Sequence, residues 1–215
     1  MARGRRPARA TGGALLVRVL YVLLTLTALL VLGALFLSTG SEVSCTEAQR
    51  AEEPRLRCEF DVATAPETVW EAFTRTDSPR PHYFDAVLEA ELRPGGRWRF
   101  VTDNRERLLA GGEILALEPP RRFVQSFTAA DLDDPPSRIT VELAPTADGT
   151  RVLLLHDGFE RRTATYRRFR RAHPLALSAL KSLVETGRLP LRARLYTSIF
   201  EPAMKLATVP AEPWH

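Results

Sequence analysis

The sequence predicts an α+β domain in which a curved antiparallel sheet wraps one long C-terminal helix, carried behind an N-terminal transmembrane helix. Three features of the 215 residues support this. Apolar and polar residues alternate through successive stretches between Ala86 and His156, the period of half-buried strands. The last long segment repeats at helical spacing instead, through Leu177, Leu180 and Leu183 or Val184. Val19 to Leu37 is free of charge. Because the strands follow one another without intervening helices, an antiparallel sheet is expected rather than a βαβ arrangement.

The N-terminal elements come first. Residues 19–37 extend about 28 Å as a helix, close to the thickness of a hydrocarbon core. Arg3, Arg5, Arg6, Arg9 and Arg18 precede the apolar run, whereas Ser38 to Glu53 holds only Arg50 beside Glu42, Glu47, Glu52 and Glu53. Positive charge stays inside, so residues 1–18 are expected in the cytoplasm and everything after Ser38 outside a cell membrane crossed once. A cleaved signal peptide competes with this reading; its apolar region is usually about 7 to 15 residues, shorter than this one, but the small residues Ser38 to Ser41 offer a place to cut. Residues 38–55 are polar, contain Pro54 and lack periodicity, and read as a stalk. Cys45 and Cys58 lie close enough in sequence to bridge in an oxidising compartment; two unrelated thiols fit the spacing equally well.

The domain itself is expected over residues 56–189. Arg57 to Val62 alternates as a strand, and Pro66 opens a short helix with Val69, Trp70 and Phe73 on one face. Asp77 to Pro81 breaks the chain before His82, Tyr83 and Phe84. Strands then read from Ala86 to Leu92, around Trp98 and Phe100 after the turn Pro94-Gly95-Gly96, from Arg107 to Leu117, Arg122 to Thr128, Ile139 to Leu143 and Thr150 to His156. The long helix ends at Gly187, and Pro174 marks its beginning or a kink. A C-terminal extension, residues 190–215, holds a shorter helix from Pro190 to Leu206 and a Pro-rich tail.

Several stretches in this order resemble the SRPBCC or START-like superfamily, and within it the branch named for the activator of Hsp90 ATPase homologue. They are Ala65 to Phe73, Arg93 to Phe100, Gly112-Glu113-Ile114 with Glu118 to Arg121, Gly149 to Val152 leading to His156 to Phe159, and Leu180 to Gly187. Together they cover about residues 57 to 187. The chain departs from the branch in its membrane segment, in having His82-Tyr83-Phe84 where a Trp is usual, and in the arginines crowded before the last helix. The resemblance implies a helix-grip (START-like) fold with an apolar cavity between sheet and long helix, used by different members for lipids, sterols, polyketides or other hydrophobic ligands. In that architecture Trp70, Phe73, Tyr83, Phe84, Trp98, Phe100, Phe123 and Phe127 are the large side chains placed to line the cavity, and His156 to orient a polar head. Ordinary core packing explains the same residues.

The chemistry is otherwise sparse. No phosphate-binding, dinucleotide-binding, zinc-protease or hydrolase signature occurs, and no cofactor or metal is expected. His156 and Asp157 are adjacent on a strand and point to opposite faces, so they do not form an acid–base pair. Asp131, Asp133 and Asp134 lack the glycine and distal Glu of a calcium loop. Residues 160–205 hold 11 basic against 3 acidic side chains, whereas residues 38–159 hold 14 against 22, so the run Arg161 to Arg171 is the basic patch of the domain. A solvated helix face or contact with anionic lipid headgroups accounts for it; nucleic acid does not, because the patch is short and exported. The expected function is a membrane-anchored, non-catalytic binding domain for a small hydrophobic or lipid-like molecule. A cyclase- or hydrolase-like enzyme using His156 or Tyr83, and a protein-partner module, are the alternatives.

Overall fold

The computed structural model describes residues 18–27, 29, 43–47, 54–76, 78–206 and 208–214, and the chain falls into two units, Met1–Gly40 and Ser41–His215. In the first, residues 18–27 form a helix, α1, with exposed side chains. The expected span continues to Leu37, and residues 28 and 30–37 lie outside the described residues. Among the described residues no helix is long and apolar enough to cross a membrane.

The second unit is an antiparallel sheet with helices on one side. Its elements in order are β1 (Ser44–Glu47), β2 (Leu56–Val62), α2 (Pro66–Thr74), β3 (Pro79–Arg80), a 3-10 turn (Pro81–Tyr83), β4 (Ala86–Ala90), β5 (Arg97–Val101), β6 (Arg107–Glu118), β7 (Arg122–Ala129), β8 (Ser137–Thr146), β9 (Gly149–Asp157), α3 (Ala164–Thr186), α4 (Leu191–Leu206) and β10 (Val209–Pro210). The strand order is β1-β2-β9-β8-β7-β6-β5-β4-β3, and β10 pairs with the start of β6. The expected alternation is visible in what β2 buries, with Leu56, Cys58, Phe60 and Val62 inward and Arg57 and Asp61 outward. Likewise β9 buries Thr150, Val152, Leu154 and His156, whereas β4 buries Ala86, Val87, Leu88 and Glu89 in succession. Register shifts at Phe100/Val101 and between Ile114 and Ala116 bend the sheet, as bulges do. At Gly112 the neighbouring strand comes so close that a Cβ would lie 2.3 Å from the Ser126 carbonyl oxygen, the same oxygen that accepts the Trp98 indole N–H at 3.1 Å.

Two expectations are corrected here. The long helix begins at Ala164, where the Thr163 hydroxyl accepts a hydrogen bond from Tyr166 N; of the two places expected for Pro174, the start of the helix is excluded, and Pro174 sits inside it. Of the arginines expected to precede the helix, Arg167, Arg168, Arg170 and Arg171 therefore lie on it, and Arg161 and Arg162 come before it. Its buried stripe, Tyr166, Phe169, His173, Leu177 and Leu180, faces the sheet at spacings of three and four residues while Arg167, Arg170 and Arg171 stay exposed. The stalk, too, is partly structured: Ser44–Glu47 adds a strand to β2, with Cys45 directly opposite Cys58 and bonded to it. The expected short C-terminal helix is present as α4, and the tail beyond it returns to the sheet, where Arg107 bonds Thr208 and Arg99 donates to the Glu212 carbonyl.

Candidate functional site

Between the inner face of the sheet and α3 lies a cavity of about 120 Å³. Its walls are apolar: Phe100, Phe123 and Phe127 with Ile139, Val141 and Leu154 from the strands, and Phe169, Leu177 and Leu180 from the helix. A volume near that of an engineered cavity that binds benzene admits a body of about one ring, smaller than the ~300 Å³ or more of a drug-sized pocket. A sterol or a two-chain lipid does not fit in this state.

Five polar side chains reach the same wall: Arg80, His82, Tyr83, Gln125 and His173. Arg80 is held in the short strand β3 between Pro79 and Pro81, and only 6% of it is exposed. Its Nη1 donates to the Ala72 carbonyl at 2.6 Å, and its Nη2 to those of Phe73 at 3.2 Å and Arg75 at 2.6 Å. These are the carbonyls left open at the C-terminus of α2, where a positive charge is favoured. Burial, and then the charge of Arg75, lower the guanidinium to about 10, so it stays charged at neutral pH. The guanidinium also stands 5.5 Å from the centre of the Phe100 ring.

His82 and Tyr83 follow on the 3-10 turn. Burial, and then the Arg80 charge, bring His82 down to about 3, so it is a neutral imidazole. Burial raises the Tyr83 phenol to about 12, and its ring packs 4.9 Å from that of Phe100. Gln125 is buried on β7.

His173 belongs to a buried relay. The Ser137 hydroxyl donates to the Phe127 carbonyl at 3.2 Å, which leaves its oxygen to accept from His156 Nε2 at 2.8 Å. His156 Nδ1 is then the lone pair that accepts from His173 Nε2 at 2.9 Å. Both rings are neutral: burial holds His173 at about 4, and burial followed by the neighbouring His173 holds His156 well below the usual histidine range. The relay fixes two imidazoles and offers no acidic proton at neutral pH.

Of the side chains expected at the site, Phe73, Tyr83, Phe100, Phe123 and Phe127 line the cavity. Trp70 packs edge-on against Phe123, and Trp98 is 1% exposed within the core, so both support the wall from behind. Phe84 takes a left-handed backbone (φ 54°) and packs on Tyr196 of α4. His156, expected to orient a polar head, does not line the cavity: it lies behind the wall, bonded to His173 and packed edge-on against Phe127 and Phe169. Arg80, His82, Gln125 and His173 were not expected. The asparate loop is accounted for without an ion: Asp131 pairs with Arg168, and Asp134 accepts from Thr165 N at 2.6 Å at the start of α3. Among the described residues no cluster is placed to hold a metal. The basic run is partly committed, with Arg168 on Asp131 and Arg170 on Glu47, while Arg161, Arg162 and Arg171 are exposed.

Residues 63–185 match the family model described as "Activator of Hsp90 ATPase homolog 1-like protein". No curated protein matches the sequence. Solved structures share the fold: CalU16 from Micromonospora echinospora (21% identity, TM-score 0.51, covering 79% of this chain and 98% of that one) and MLL2253 from Mesorhizobium loti (23%, 0.51, 63% and 99%). A conserved protein of unknown function from Enterococcus faecalis, EF2215, is similar at 17% identity and a TM-score of 0.54, covering 76% of this chain and 92% of that one.

Proposed function

Because this chain belongs to the activator of Hsp90 ATPase homolog 1-like family, whose fold commonly serves to bind ligands or partners, we propose that its α+β domain holds a small hydrophobic molecule between the sheet and α3. The observation that carries this reading is the cavity itself. Protein interiors are close-packed, and a void of about 120 Å³ walled by aromatic and aliphatic groups forgoes contacts that an apolar guest restores. The domain binds without bond chemistry: the histidines at the void, His82 and His173, are neutral, and His173 is bonded to His156.

The domain is tethered to a cell membrane by residues 19–37, with its N-terminus cytoplasmic. The charge-free run behind five arginines supports this, and a Cys45–Cys58 bond fits an oxidising compartment. The basic run Arg161 to Arg171, in which Arg161, Arg162 and Arg171 are exposed, supplies charge suited to anionic headgroups. Native mass spectrometry of the detergent-extracted chain tests the binding reading. A co-purifying small-molecule mass is expected; its absence from preparations made without organic solvent would count against the cavity as a binding site. Carbonate extraction tests the tether: the chain should stay with the membranes, and its release would refute the anchor.

A further inference from the structure

Two buried polar atoms lack a partner among the described side chains, and both lie at the edge of the cavity: Arg80 Nε and His82 Nδ1. A sealed donor without an acceptor is costly, and a buried cation without a counter-charge more so. The carbonyls of Ala72, Phe73 and Arg75 occupy the two terminal nitrogens of Arg80 and bring only partial negative charge. No carboxylate of the described residues forms an ion pair with it.

The position of these atoms is informative. Outside the inner cavity lies a cleft of about 430 Å³, bordered by Thr68, Glu71 and Arg75 of α2 and by Leu183 and Val184 of α3. Arg80, His82 and Leu180 are the residues common to both spaces. They form the partition between an oily interior and a polar entrance, which is where the head of an amphipathic guest sits if its body is inside. The head must accept from Nε–H of a guanidinium, and a neutral His82 can offer a second N–H from Nδ1. Two donors beside one uncompensated positive charge match a single carboxylate, which is acceptor-only when ionised.

We propose, building on the binding reading above, that the ligand is a compact monocarboxylic acid whose one-ring apolar body fills the inner cavity and whose carboxylate accepts from Arg80 Nε and His82 Nδ1. The aromatic wall of Phe100, Phe127 and Phe169 suits a flat ring.

Calorimetric titration of the full-length chain with benzoate, benzamide, toluene and inorganic phosphate tests this. Benzoate should bind at least tenfold tighter than benzamide, toluene should bind measurably, and phosphate should not displace benzoate. Arg80→Met should bring benzoate to the benzamide level and leave toluene unchanged. Since Arg80 also closes α2, His82→Phe serves as a second variant that leaves this closure intact; it should weaken benzoate severalfold and spare toluene. Toluene binding with benzoate no tighter than benzamide would overturn the acid while leaving the binding reading standing. If none of the ring compounds binds, both fall. Displacement by phosphate, or a His82→Phe protein with undiminished benzoate affinity, would overturn the proposed head-group contacts.

Discussion

Acidification from pH 7.5 to pH 5 should destabilise the domain strongly, and the cause is its buried histidines. Burial holds His82 at about 3 and His173 at about 4, and keeps His156 well below its usual value. In the unfolded chain each imidazole takes up a proton near pH 6.5. Between that value and the folded values the unfolded state carries protons that the folded state refuses, so stability is complete above about pH 6.5 and declines as pH falls. By pH 5, His82 and His173 each cost the fold about 2 kcal/mol relative to pH 7.5, about 4 kcal/mol together. That is a large share of the roughly 5–15 kcal/mol that separates folded from unfolded domains. The carboxylates with lowered values, Glu47, Asp61 and Asp134, act at lower pH than this window. Glu47, for one, is held below its ordinary value by hydrogen bonds from Arg170 and Tyr166, so its stabilising effect is present above the usual carboxylate range and disappears only at lower pH.

Urea unfolding followed by tryptophan fluorescence reads the change, since Trp98 is 1% exposed and reports on the core. With a denaturant slope of about 2 kcal/mol per molar, the midpoint should drop by about 2 M at pH 5. In His173→Gln the share worked for His173, about 2 kcal/mol of that pH dependence, should disappear, because the substituted side chain does not titrate. A midpoint unchanged or raised at pH 5 would refute the assignment of these imidazoles as neutral.

Replacing both Cys45 and Cys58 by alanine should lower stability by about 3 kcal/mol at constant pH, the chain-entropy value for a loop of this size, measured in the same urea assay without reductant. Gly112→Ala, whose Cβ would meet the Ser126 carbonyl at 2.3 Å, should cost about 1–3 kcal/mol by forcing β6 and β7 apart. Leu177→Ala, which enlarges the cavity from the helix side, should cost about 2–5 kcal/mol in thermal or urea unfolding, and added toluene should restore part of the loss.

The strand architecture was legible where a strand carries its own period: Leu56, Cys58, Phe60 and Val62 declare one face of β2 without reference to the rest of the chain, whereas β4 is buried on both faces from Ala86 to Glu89. The long helix was harder. Its first ten residues are dominated by arginines, and only the narrow stripe of Tyr166, Phe169 and His173 continues the spacing of Leu177 and Leu180. That stripe was the available signal, and it would also have placed His173 on the sheet side. Strand β1 has no period to read in four residues; only Cys45, opposite Cys58, hinted at it. At the site, large apolar groups such as Phe73, Phe100 and Phe127 were readable from their elements. Arg80 and His82 were not, because burial of a charged residue in a proline-flanked turn depends on the packing of α2 and α3 against it, which local pattern does not encode. Phe84 shows the converse: an aromatic residue in the expected cluster lies outside the cavity lining and packs on Tyr196 of α4 instead.

Methyl-resolved NMR of the full-length chain during titration with toluene tests most directly whether the space between sheet and helix accepts a guest. Saturable shifts are expected at Ile139, Val141, Leu154, Leu177 and Leu180, which border the cavity, with Leu56 and Leu143, buried elsewhere in the core, unmoved. Shifts absent from the bordering methyls, or spread evenly over the core, would contradict the account.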